Sequence, residues 1–252
     1  MSGLTSESTV VVTGAAGPAG LAVVTRLVAA GAFVVGVDTA ADRLEAVSRT
    51  LGPNASQFSG AVLDLLDEDA TRKFAASLAG SGAAAAGKVD GVVHLVGGWR
   101  GGAAFSDNTI ADWLFLHALL VRTVQNVSLA FHDALVAAEQ GRFVLVSATA
   151  ASRPTAGSAG YAAAKAAAEA WTMAMADSFR RLQSARQPEA LPQTAAATVL
   201  VVKALVHDGL RAANPGSTFD GYTDVADLAE AVAGLWESAA ATVNGRRTVL
   251  AP

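Results

Sequence analysis

The chain contains no cysteine. A disulfide framework, a thiolate metal site and a cysteine nucleophile are therefore excluded. Charge is scarce as well: 16% of 252 residues, with 18 Lys+Arg against 22 Asp+Glu and a net charge of -4. So small a negative balance offers no electrostatic footprint for nucleic acid or for an anionic membrane surface. The first nine residues are polar, and no uninterrupted apolar run reaches the roughly 20 residues that a membrane span needs. Aromatic residues make up only 6%. What is abundant is small and aliphatic: apolar residues total 52%, enough for a sizeable core and too many for disorder. A soluble cytoplasmic protein is the expectation.

Short β-branched runs occur at 9–12, 33–37, 89–96, 142–146, 198–202 and 247–250, with a weaker one at 57–63. Continuous apolar runs of this length suit strands buried on both faces of a parallel sheet. Between them lie Ala/Leu-rich stretches at 19–30, 40–51, 67–79, 109–139, 160–185 and 223–239, which read as helices. Alternation of this kind predicts an α/β Rossmann fold: one doubly wound parallel sheet of about seven strands, helices on both faces. Residues 1–252 are expected to form a single domain of this fold, with 1–8 a flexible tail and 81–87 and 187–193 surface loops.

The first run leads into Thr13-Gly14-Ala15-Ala16-Gly17-Pro18-Ala19-Gly20 and then a helix. Gly14 permits the tight turn, Gly17 lets backbone approach a pyrophosphate, and Gly20 lets helix and strand pack closely. The helix N-terminus offers free N–H groups to the phosphates, so Gly14, Ala16, Gly17, Pro18, Ala19 and Gly20 are the expected contacts. Asp38 closes the second strand, where a carboxylate can accept bonds from both ribose hydroxyls and repel a 2′-phosphate. NAD(H) is therefore expected over NADP(H), the alternative for Asp38 being a helix cap. Asp64, with Leu65 beside it, is placed to meet the adenine or to cap the helix that follows.

Tyr161 and Lys165 stand four residues apart, on one face of a helix. A phenol titrates near pH 10, and a neighbouring ammonium together with a positive nicotinamide ring would draw that value down. Tyr161 is thus the candidate acid/base, and Lys165 the group that tunes it and holds the ribose. Ser147 precedes them at the end of a strand.

Thr13-Gly14 with its spaced glycines, Asp38, Asp64 and Tyr161-x-x-x-Lys165 together resemble the short-chain dehydrogenase/reductases. The resemblance covers nearly the whole chain. Locally, Gly97-Gly98-Trp99-Arg100-Gly101-Gly102 is similar to a turn in the quinonoid dihydropteridine reductases. That likeness implies NADH, a flat pterin- or quinone-like substrate and a stacking role for Trp99, which could equally be a core or interface tryptophan. Against the wider family, His94-Leu95-Val96-Gly97 replaces the usual Asn-Asn-Ala-Gly turn but keeps the glycine, and the resemblance places Val96, Gly97 and Gly98 near the cofactor.

Three further sites depart from the family pattern. Thirteen places before Tyr161 stands Ala148 rather than serine, flanked by Ser147 and Thr149, either of which could serve. Leu120 occupies the place of a helix asparagine, and Val202-Lys203-Ala204 replaces a Pro-containing turn. The expectation is an NAD(H)-dependent oxidoreductase acting on a small molecule. The alternative is a cofactor-binding protein with impaired catalysis, working as a sensor or structural subunit. Small residues on one helix (Ala162, Ala163, Ala166, Ala167, Ala170) and the resemblance point to a homodimer or homotetramer, and no metal is expected.

Overall fold

A computed structural model describes residues 3–80, 88–184 and 192–250. The loop expected at 81–87 lies outside the described residues, as does that at 187–193 except for its last two positions.

Six valine- and alanine-rich strands, β1 (Thr9–Thr13), β2 (Phe33–Asp38), β3 (Phe58–Val62), β4 (Gly91–His94), β5 (Arg142–Ala148) and β6 (Ala196–Val202), lie in one sheet. After them in the chain come the short strands β7 (Leu205–Val206) and β8 (Thr223–Asp224), which pair only with each other, and then β9 (Arg247–Val249). The large sheet has seven strands in the order β3-β2-β1-β4-β5-β6-β9, with every pairing parallel. Side chains alternate across it with the period of two that a strand imposes. Val10 and Val12 face a core shared with the helices α1 (Pro18–Ala29), α2 (Ala41–Leu51) and α8 (Val225–Ala233). Val11 faces the opposite core, built with α3 (Glu68–Ala79), α5 (Thr123–Ala137) and α6 (Ala159–Ser184). The strand order reverses between β1 and β4, and a crevice opens there at the carboxyl ends of the strands.

The long helix expected at 109–139 is interrupted. It runs as α4 (Ile110–His117), one turn of π-helix (Ala118–Arg122), and then α5. By length and composition the run 110–137 is apolar enough to cross a membrane. Here Leu116, Leu120, Val124, Val127, Phe131 and Leu135 are buried within the fold, as in a core helix. The helix expected at 223–239 begins instead with β8, because Asp224 caps α8 by accepting from the Ala226 N–H. That helix gives way to a 3-10 turn at Gly234–Trp236, and α9 (Ala240–Val243) follows. From the segment 1–8, Leu4 packs on the α1 core, and the Ser8 carbonyl accepts from the Phe33 N–H.

Arg142, at the start of β5, is buried and meets no carboxylate among the described residues. Its guanidinium donates instead to the carbonyls of Gly141, Thr194, Leu235 and Ser238. It thereby joins β5 to the entrance of β6 and to the segment before β9.

Candidate active site

The crevice begins at the turn after β1. Gly14 has φ +73, a left-handed conformation open to glycine, and its N–H donates to the Val37 carbonyl at 2.8 Å. A Cβ added at Gly20 would lie 2.2 Å from the Gly14 carbonyl oxygen, so the close packing of helix on turn requires hydrogen there. Gly17 caps α1 without any side-chain bond, and Pro18 occupies the first turn. The open N–H groups of that turn form an anion cradle, and they fit a dinucleotide's pyrophosphate.

Beside the cradle lies a cleft of about 320 Å³ lined by Gly14, Gly17, Asp38, Asp64, Leu65, Val96 and Gly97, and also by Arg43, Leu119 and Thr123. The Asp38 side chain is 10% exposed. It accepts from the N–H groups of Ala16 (3.2 Å) and Ala40 (3.3 Å) and from Arg43 Nη2 (3.2 Å). It therefore braces the glycine turn against the entrance of α2, whose own N-cap is Ala40. Asp64 accepts from the Leu66 N–H at 2.9 Å, while the cap of α3 falls to Asp67.

A second cleft, of about 170 Å³, continues from Ala19, Val96, Gly97 and Gly98 to Ser147, Ala148, Tyr161 and Lys165, and on to Lys203. Lys165 is 7% exposed, and its Nζ donates to the Val146 carbonyl at 2.9 Å. Burial pushes its ammonium down to about 8, with Glu169 acting in the opposite direction. Nζ stands 6.0 Å from the centroid of the Tyr161 ring. Burial pushes the Tyr161 phenol above its ordinary value, so the protein alone does not produce the lowering expected from Lys165. Desolvation outweighs a neighbour whose own charge burial has already made costly.

Of the two replacements for the missing serine, only Ser147 lines this cleft. Its Oγ is buried and has no hydrogen-bond partner among the described residues. Thr149 lines neither cleft and opens a 3-10 turn (Thr149–Ala151). Trp99 is 61% exposed and also lines neither. The glycines around it have a structural reason: Gly102 donates to the Gly157 carbonyl at 2.8 Å, and a Cβ on Gly157 would meet Gly102 O at 1.9 Å. Two backbones cross there, and the crossing ties this loop to the segment leading into α6. Lys203 donates to the Asp220 carbonyl at 2.8 Å, and His207 makes a local bond with the Leu210 N–H that caps the short helix α7 (Asp208–Ala213).

His94 went unrecognised as a site residue in the sequence. It is buried at the end of β4, with Nδ1 2.8 Å from Thr13 Oγ1 and Nε2 3.2 Å from Thr123 Oγ1. The Thr123 hydroxyl donates to the Leu119 carbonyl at 2.7 Å, so its oxygen must accept from Nε2–H. Nδ1 is then the acceptor for Thr13. Burial, aided by the nearby Lys165 charge, pushes the imidazole down to about 3, and the ring is neutral. Thr13 pairs directly with His94 in the β1–β4 register, and that register is the only signal that could have revealed the pair. Among the described residues no group of three or more His, Asp or Glu side chains could hold a metal ion.

Residues 8–183 match the short chain dehydrogenase family. A serine 3-dehydrogenase of Rhizobium radiobacter is 42% identical over 72 residues, which span 29% of this chain and 28% of that enzyme. Among solved structures, an NADPH-bound short chain oxidoreductase of Pseudomonas aeruginosa PAO1, described as containing an atypical catalytic center, superposes with a TM-score of 0.82. It is 21% identical, and the match covers 97% of this chain and 95% of that one. A short-chain type dehydrogenase/reductase from Mycobacterium ulcerans also gives 0.82, at 23% identity, over 96% and 88% of the two chains.

The His94 junction can be tested directly. Thr13→Val keeps the shape of the side chain and leaves the buried Nδ1 without a donor. Urea unfolding should show a loss of about 1–3 kcal/mol. A loss below about 0.5 kcal/mol would mean that the bond contributes little.

Proposed function

The chain belongs to the short-chain dehydrogenase family, and we propose that it transfers a hydride between NAD(H) and a small carbonyl, alcohol, or pterin- or quinone-like substrate. The observation that carries this reading is the meeting of the glycine cradle and the Tyr161/Lys165 pair in adjoining clefts of one crevice. The nicotinamide supplies or accepts the hydride when the cofactor is bound. Tyr161 gives or takes the accompanying proton through its phenolic oxygen. Lys165, anchored on the Val146 carbonyl, has further N–H groups with which to hold the nicotinamide ribose. The positive charge of an oxidised nicotinamide would add the pull toward phenolate that the protein alone does not supply.

Ser147 is the helper this reading adopts in place of the family serine, since its hydroxyl is unspent. The glycine-rich turn around Trp99, Ala148 in place of the serine, and Leu120 in the helix support an imine-like or conjugated substrate that needs little carbonyl polarisation. The catalytically impaired alternative is less well supported, because the tyrosine and lysine are both present and share the cleft. Tyr161→Phe should abolish turnover across a panel of quinonoid pterins, quinones, ketones and alcohols while sparing NADH binding by fluorescence. Full activity in that variant would overturn the assignment.

NAD(H) is favoured because the Asp38 carboxylate stands in the larger cleft where a 2′-phosphate would have to fit, and Arg43 is already paired with it. NADH should bind more tightly than NADPH by about tenfold or more, the scale of one unfavourable charge contact. Asp38→Ser, which frees Arg43, should narrow that gap. A wild-type preference for NADPH, measured as dissociation constants, would sink the reading.

Self-association through α5 and α6 belongs to the same proposal. Ala163, Ala167 and Ala170 are exposed on α6, and Leu129 on α5 lines an apolar groove with Trp171, Ala174 and Met175. A homodimer or homotetramer is expected by light scattering at micromolar concentration, and a monomer there would refute it.

A further inference from the structure

Lys165 is followed one helical turn later by Glu169, and side chains at this spacing lie on the same face of the helix. The Glu169 side chain is only 13% exposed. It does not face solvent but the last strand of the sheet: Arg247 Nε, on β9, donates to one carboxylate oxygen at 2.8 Å, and Nη2 donates to the other at 3.4 Å. Arg247 Nη2 also reaches Ser152 Oγ, at 3.3 Å, beside the turn that follows β5. Tyr161, Lys165, Glu169 and Arg247 thus run in sequence from the reaction cleft to the edge of the sheet, with the carboxylate ion-paired to Arg247 and one helical turn from Lys165.

We propose that Glu169 is a positioning residue for Lys165: its carboxylate, ion-paired with Arg247, acts across one helical turn to keep the ammonium charged over the Val146 carbonyl, and Arg247 sets how much of that pull Lys165 receives. The inference rests on the reading of Lys165 as the group that grips the cofactor. Among the described residues, the other charged and titratable groups around Lys165 are Tyr161 on its own helix, His94 on β4, whose ring is neutral, and Lys203 after β6. Among the described residues Glu169 is the only carboxylate that influences Lys165, and it opposes the effect of burial. Removing Glu169 and removing Arg247 therefore have opposite effects on Lys165. Without the carboxylate, Lys165 loses its charge more readily. Without the arginine, the carboxylate acts on Lys165 undivided.

The test is the pH dependence of NADH binding, followed by fluorescence from about pH 6 to pH 10. Affinity should fall as Lys165 loses its proton, with a midpoint near the value of about 8 that burial gives it. Glu169→Gln should move that midpoint down by about one pH unit, and Arg247→Gln should move it up, as expected for charges one helical turn apart at partial burial. Tyr161→Phe should leave the midpoint in place, which identifies the titrating group as the lysine. An unmoved midpoint in both charge variants, or shifts in the same direction, would reduce Glu169 to a structural partner of Arg247. If Glu169→Gln does not fold, the upward shift in Arg247→Gln still decides the matter. A wild-type affinity without any such fall would instead remove the reading of Lys165 on which the inference stands.

Discussion

His94 donates from Nε2 to the Thr123 hydroxyl and accepts at Nδ1 from Thr13, and the geometry of the crevice depends on that pair of bonds. Parallel strands diverge through twist once their ladder ends, and the ligand crevice of a doubly wound sheet opens at that point. The imidazole spans the opening from within. It fixes the end of β1, from which the glycine turn springs. It also fixes the π-turn, whose Leu119 carbonyl is taken up by Thr123. Leu119 and Thr123 line the larger cleft, while Leu95, Val96 and Gly97 line both. The neutrality imposed by burial leaves Nδ1 free to accept from Thr13 while Nε2 donates to Thr123.

The fold handles its buried cations in two different ways. Arg142 is given backbone carbonyls and no carboxylate among the described residues, which satisfies its N–H groups while leaving its charge balanced only by dipoles. Burial lowers its affinity for protons to about 10, and it stays charged at neutrality. Lys165 has one carbonyl and a carboxylate one turn away, and burial brings it to about 8, within reach of physiological conditions. The first arrangement suits a permanent strut. The second suits a group whose protonation takes part in binding.

Much of this was legible in the sequence because it is local. The strand runs, the glycine turn and the Tyr161/Lys165 spacing are patterns of a few residues, and the seven-stranded parallel sheet follows from their alternation. The interruption at Ala118–Arg122 was not legible, since the apolar periodicity of α4 and α5 continues through it. Nor were the short strands β7 and β8, each of two residues, too few to show any period. Ser147 and Thr149 were equivalent as letters. They separate only because β5 continues to Ala148, carrying Ser147 into the cleft, and Thr149 then begins a turn. The bonds of His94 and the pairing of Glu169 with Arg247 join residues far apart in sequence, and no local pattern marks them.

That separation has a consequence for how the molecule is assembled. Glu169 and Arg247 are 78 residues apart, and Arg142 reaches Ser238 across 96. Contacts of such span form late, because the chain between them must first lose its freedom. The strands β1 to β4 come from the first part of the chain, yet the core on one of their faces is completed only by α8 and the turn after it. The helix carrying Tyr161 and Lys165 is complete long before β9 exists, and until that strand docks its glutamate lacks the partner that moderates it. On the proposed reading the surroundings of Lys165 mature late, because Arg247 comes from β9, the last strand of the sheet in chain order.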